Sequence, residues 1–179
     1  MTDEIRFPIG KFEPQPFSAG QKREWLQDIQ FLPALVESAI ENLDNFQLET
    51  PYRDGGWTIK QIVHHLADAG INVYTRFKLA LTEDTPTIKP FDEVKWAATA
   101  DNTMVPINIS ITLLYALQTR LHATIRDLEP EQWKREFHHP ERKTNISLWD
   151  LMGEYAFHGR HHVAQINGLR ERKGWNDGM

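Results

Sequence analysis

GEYAFHGRHHVAQINGLR, residues Gly153–Arg170, carries three of the chain's eight histidines within five positions. Apolar residues recur three and four apart around it, at Leu148, Leu151, Met152, Tyr155, Val163, Ile166 and Leu169. That is the period of a helix with one covered face. His158 and His162 are four apart, so they lie one turn above each other on one side of such a helix. On a wheel taken from Leu148, His158 falls at about 280° and His162 at about 320°, on or beside the apolar stripe. His161, at about 220°, points away from it. Two imidazoles placed this way can bite one metal ion. They can equally be hydrogen-bonded core residues, and a third ligand is what separates the two readings.

Outward from this stretch the same period returns three times. Trp25, Ile29, Leu32, Val36, Ile40 and Leu43 define a helix over 18–44, with Ser18 as its N-cap and Pro33 expected to kink or divide it. A second long helix follows Thr58, its stripe running from Ile59 through Ile62, Val63, Leu66, Gly70, Val73 and Phe77 to Leu81. A third covers 107–128, with Ile111, Leu114, Leu117, Leu121 and Ile125 inward. Ser147 caps the fourth, which should stop near Lys173 and Gly174. Residues 1–17, with three prolines, read as an extended arm anchored by Phe7, Ile9, Phe12 and Phe17. Residues 85–106 are bounded by prolines and hold one short helical piece over 92–98. A linker of that length suggests a crossover at one end of the bundle. FHHPERKTN, residues 137–145, reads as a loop with His138 and His139 in solvent. The expectation is an all-α chain, 1–179 as a single domain: a four-helix bundle with one long crossover connection.

Composition narrows the chemistry. The chain has 179 residues, a net charge of −5 and no cysteine. A disulfide framework, a thiol nucleophile and a thiolate metal site are thereby excluded, and a tight metal site must use His, Asp or Glu. No basic block points to nucleic acid or a membrane surface. No secretory signal or membrane-length apolar run is visible, so a cytoplasmic location is expected.

The second helix supplies the third histidine. On a wheel from Ile59, His65 falls at about 240° and borders the stripe, whereas His64, at about 140°, lies on the far side. His65, His158 and His162 then form a three-histidine set across two facing helices. Three neutral imidazoles leave a fourth position for water, as in a catalytic zinc site, where that water ionises near neutral pH. Asp68 and Glu154 are placed to orient a ligand or act as base, though both also suit a solvated helix face.

WTIKQIVHHLADAGINVYTRFKLALTEDTPTIKP and EYAFHGRHHVAQINGLRERKGW, with RFPIGKFEP and FHHPE, resemble the DinB-like superfamily and, within it, the YfiT-type metal-dependent hydrolases. The resemblance covers nearly the whole chain. It implies a four-helix bundle, a homodimer, and one divalent metal per subunit held by three histidines. Carried onto this sequence, these are the second histidine of HHLAD, His65, and the first and last of HGRHHVAQI, His158 and His162. Zn²⁺ leads as the metal and Ni²⁺ is the alternative. The implied activity is hydrolysis of a small-molecule substrate. A metal-dependent S-transferase using a low-molecular-weight thiol, and a non-catalytic metal-binding protein, stand beside it. The rim of the pocket is expected from Asp54 to Trp57, which lie close to His65 in sequence, with the crossover around Asp92 to Lys95 at the opposite end.

Overall fold

Long apolar periods become long helices in the structure, a computed structural model that describes residues 2–175. In chain order the helices are α1 (Thr2–Arg6), α2 (Ala19–Ile40), α3 (Asn45–Leu48), α4 (Ile59–Thr82), α5 (Glu93–Trp96), α6 (Asp101–Met104), α7 (Ile107–Ile125) and α8 (Leu148–Lys173). The starts follow the expected caps. The Ser18, Thr58 and Ser147 side chains accept hydrogen bonds from the amides of Gln21, Gln61 and Asp150, and Gln61 returns the favour to Thr58 in a capping box. α8 ends on Gly174 at φ 66°, the left-handed conformation that glycine adopts without a Cβ clash. Two arginines take up the free carbonyls at helix ends. Arg170 Nη1 donates to the oxygens of Ser38, Ala39 and Glu41 at the end of α2, and Arg135 donates to those of Ala80 and Glu83 at the end of α4.

Helix directions follow from contacts at their ends. Trp25 meets Trp149 near the starts of α2 and α8, and Arg170 meets Ala39 near their ends, so these two run parallel. His64 meets Ser110 early in α4 and α7, and Phe77 meets Trp133 beyond α7's end, so α4 and α7 are parallel too. α4 opposes α8, with His65 against His158 and Gly70 beside Tyr155. The order is therefore up, down, down, up. The core fills in two layers, one around Phe77, Trp133, Trp149 and Met152, the other around Val36, Ile59, Ile62, Leu66, Leu114 and Ile166.

Several expectations need correction. The arm is not extended throughout: α1 opens it, Phe12 packs on Trp25 and Phe17, itself partly exposed, on Trp149, while Ile9 is exposed. Met1 and residues 176–179 lie outside the described residues. Pro33 does not divide α2, because the helix keeps one continuous buried face through Leu32, Pro33 and Val36. Residues 137–145 are not a plain loop. They belong to an antiparallel hairpin of β1 (Glu136–His139) and β2 (Thr144–Ser147). Strand alternation puts Phe137 and His139 on the covered side, so His139 is buried rather than in solvent. The crossover does not cap one end. It pins to the hairpin where Ile88 N–H donates to His138 O, then returns along α4 until Lys60 Nζ meets Thr103 O. Parallel α4 and α7 require such a return, which explains its length.

Candidate metal centre

His65 leaves α4 in its second turn and His158 and His162 leave the middle of α8, and the three side chains meet in the core. His158 Nε2 lies 2.9 Å from His65 Nε2 and 3.1 Å from His162 Nε2. Among the described residues these three form the group of His, Asp or Glu side chains able to meet at one ion, their ligand atoms all within 4.8 Å. The separations are close to the about 3.3 Å that two tetrahedral bonds of about 2.0 Å would set between imidazole nitrogens.

Electrostatics favour the neutral, ligand-competent state. Burial, and then the neighbouring His162, lower His65 to about 3. Burial first, with neighbouring histidines second, pushes His158 and His162 well below the usual imidazole range. Hydrogen bonding fixes one tautomer outright. Gln165 Nε2 donates to Arg6 O at 3.0 Å, so that atom is the amide nitrogen and Oε1 is the acceptor. His162 Nδ1, 2.9 Å from Gln165 Oε1, must then carry the proton, leaving the Nε2 lone pair turned toward the other two rings. One proton on His158 Nε2 cannot serve two neighbours well, and a cation suits three converging lone pairs better. The donor set fits a divalent transition-metal ion.

A cavity of about 490 Å³ opens from His65 and His158 between α4 and α8. The arm closes one side with Phe7, Gly10, Lys11 and Phe12. Trp57 packs on His65 at 4.5 Å between ring centroids and on His162 at 6.1 Å, beside the cluster, but Asp54 to Trp57 do not line this cavity and so do not form the rim expected of them. Phe91 lies 6.4 Å from His65, and Glu93 lines the cavity. Placing the crossover at the far end is therefore wrong. Helix length alone does not show that the segment doubles back.

The remaining candidates fall elsewhere. His64 is on the other side of α4 from the cluster, yet buried: α7 covers it and its Nδ1 lies 2.7 Å from Ser110 Oγ. His161 sits half-buried under Phe7 and accepts from Gln165 Nε2 at 2.8 Å. No hydrogen bond joins Asp68 or Glu154 to the three histidines among the described residues. Glu154 instead takes both its oxygens to Arg142 Nη1, at 2.8 and 3.0 Å. Asp68 is raised to about 6, by burial first and Asp101 second. Gln165 is not singled out by the sequence. The available signal was a polar residue three positions after His162 on the stripe.

Fold and cluster together define a helical bundle with an all-histidine candidate metal centre in its core. The chain belongs to the DinB superfamily, whose pattern matches residues 29–166. It is 44% identical over 173 residues to YfiT of Bacillus subtilis, spanning 96% of this chain and 97% of that one. It is 45% identical over 175 residues to GK0616 of Geobacillus kaustophilus, spanning 97% and 98%. Both relatives are provisionally named metal-dependent hydrolases. A solved structure of Bacillus subtilis YfiT, described as a probable metal-dependent hydrolase with an unusual four-helix bundle topology, matches with a TM-score of 0.93 and 44% identity. That match covers 96% of this chain and 99% of the other. No helix among the described residues is long and apolar enough to cross a membrane.

Proposed function

We propose that the protein is a metal-dependent hydrolase of a small molecule, with one divalent ion per subunit held by His65, His158 and His162. The observation that carries this reading is the convergence of three imidazoles, held neutral by their surroundings, two of which, His65 and His158, line an open cavity. Bound by these three imidazoles, a divalent ion would supply a water acidified to near neutral pH as nucleophile. The chain's own groups hold the ligands. Gln165 sets the His162 ring. Trp57 and Phe91 pack against the His65 ring and hold it in place. Tyr155, stacked on His158 and receiving a hydrogen bond from Gln118, is pushed above the usual phenol range by burial and stays protonated, so it serves as packing rather than as a base. Zn²⁺ is the proposed ion and Ni²⁺ the alternative. A homodimer in the cytoplasm completes the proposal, and a monomer mass in sedimentation at micromolar concentration would remove the dimer.

The test is metal content of purified protein followed by turnover of ester and amide libraries, with a parallel assay of a small thiol plus an electrophile. Hydrolysis should disappear with a chelator and return with Zn²⁺. His65→Ala, His158→Ala and His162→Ala should each lose both ion and turnover, while His64→Ala keeps the ion. Turnover in the thiol assay alone would make the protein an S-transferase. Turnover in neither would leave a metal-binding protein.

A further inference from the structure

One wall of the cavity runs along α4 from His65 through Ala69 and Val73 to Arg76, steps of four, four and three residues that keep all of them on one side. Opposite, α8 contributes His158, Tyr155, Glu154 and Leu151 in antiparallel order. Eleven residues put His65 and Arg76 about 16 Å apart along the helix axis. The cavity thus has a histidine end, an apolar middle and a charged end.

At the charged end the ionic groups are unevenly matched. Arg142 and Glu154 are engaged with each other. Arg76 makes no hydrogen bond or ion pair among the described residues, and its Nε is buried without a partner. Burial, then Arg142 beside it, lowers the guanidinium from its ordinary value, while Glu154 pulls the other way. A half-buried cation of this kind is costly unless an acceptor reaches it. Nothing in the core consumes its donors, and the cavity lies against it.

We propose that Arg76 is the recognition site for a carboxylate on the substrate. The substrate is then an elongated acid: its reactive group sits at the histidine end, a short apolar chain crosses Ala69, Val73 and Leu151, and its carboxylate meets Arg76. Which end reacts rests on the function proposed above; the carboxylate site does not. The guanidinium fork matches a carboxylate's two oxygens. Lys11, Arg76 and Arg142 line the cavity against Glu93 and Glu154, and that small positive excess suits one carboxylate better than a phosphate dianion.

The experiment uses two probes that differ only at the tail. One is a linear dicarboxylic acid bearing a hydroxamate at one end, the other the same molecule with a terminal carboxamide, with chains of four to eight methylenes. Calorimetry with Zn²⁺-loaded wild type, Arg76→Met and Arg76→Lys reads the preference. At the best length the carboxylate probe should bind wild type about tenfold more tightly than the carboxamide probe. Arg76→Met should abolish that preference and Arg76→Lys should keep part of it, with the carboxamide probe unchanged throughout. Equal binding of both probes to wild type at every length, or equal weakening of both by Arg76→Met, overturns the proposal. A second arm titrates octanoate and octanamide into metal-free protein. Octanoate binding lost in Arg76→Met, in a protein that takes up no ion, supports the carboxylate site and sinks the metal reading. Ion uptake with no Arg76-dependent preference in either arm sinks the carboxylate site alone.

Discussion

Gln165 has only one orientation open to it. Its amide nitrogen gives to Arg6 O, from a segment 159 residues away, and its oxygen receives the His162 Nδ1 hydrogen. A partner on the far nitrogen of a ligating imidazole fixes the tautomer and raises basicity, and losing one typically costs 10–100-fold in affinity. Gln165→Leu should weaken metal binding by about that factor, read by competition with a chromogenic chelator, with the fold retained by circular dichroism. Unchanged affinity would remove the tautomer argument. The histidines themselves were readable. An i, i+4 pair and a wheel phase single out His158, His162 and His65, because helix geometry links spacing to face. Gln165 was not, since its meaning depends on Arg6, and no local pattern ties those two together. His139 reads as a solvent residue in the sequence because a four-residue strand leaves too short an alternation to distinguish from a loop.

Between elements, α2 and α8 approach closely where α8 has no side chain. A Cβ on Gly153 would lie 2.6 Å from a Trp25 ring carbon and 2.8 Å from Phe12. One on Gly159 would lie 2.8 Å from Leu32. Glycine costs a helix interior about 1 kcal/mol relative to alanine, so α8 accepts that cost for the contact. Gly153→Ala regains the propensity but drives a methyl into two aromatic rings, a strain of about 1–3 kcal/mol. The net expectation is a loss of about 1 kcal/mol in urea unfolding, with Phe12 displaced from the cavity wall. A gain in stability would show that the rings move freely. The helices and their caps were legible from periodicity and from Ser18, Thr58 and Ser147. The crossover was legible only as a long connection. Its path depends on the parallel pairing of α4 and α7, which is decided by which faces fit and not by any residue within 85–106.

At the scale of the whole molecule, the histidine cluster joins α4 to α8 across 93 residues of chain, at the level of the core layer around Leu66 and Ile166. Unfolding separates these side chains, so an ion that binds only the folded chain stabilises it by mass action. At a thousandfold excess over its dissociation constant this amounts to about 4 kcal/mol. For a chain of this length, 1 kcal/mol moves the melting temperature by about 2–4 °C. Zn²⁺ should therefore raise the midpoint by on the order of 10 °C, and a chelator should reverse the rise. His158→Ala should abolish the response to Zn²⁺ while melting close to the metal-free wild type, because it removes one of three crowded neutral rings and leaves no buried charge behind. Scanning calorimetry of both proteins, with and without the ion, reads all four midpoints. A wild type indifferent to Zn²⁺ and chelator would mean that the three imidazoles are held together by packing alone. A rise that survives in His158→Ala would mean that the ion binds elsewhere.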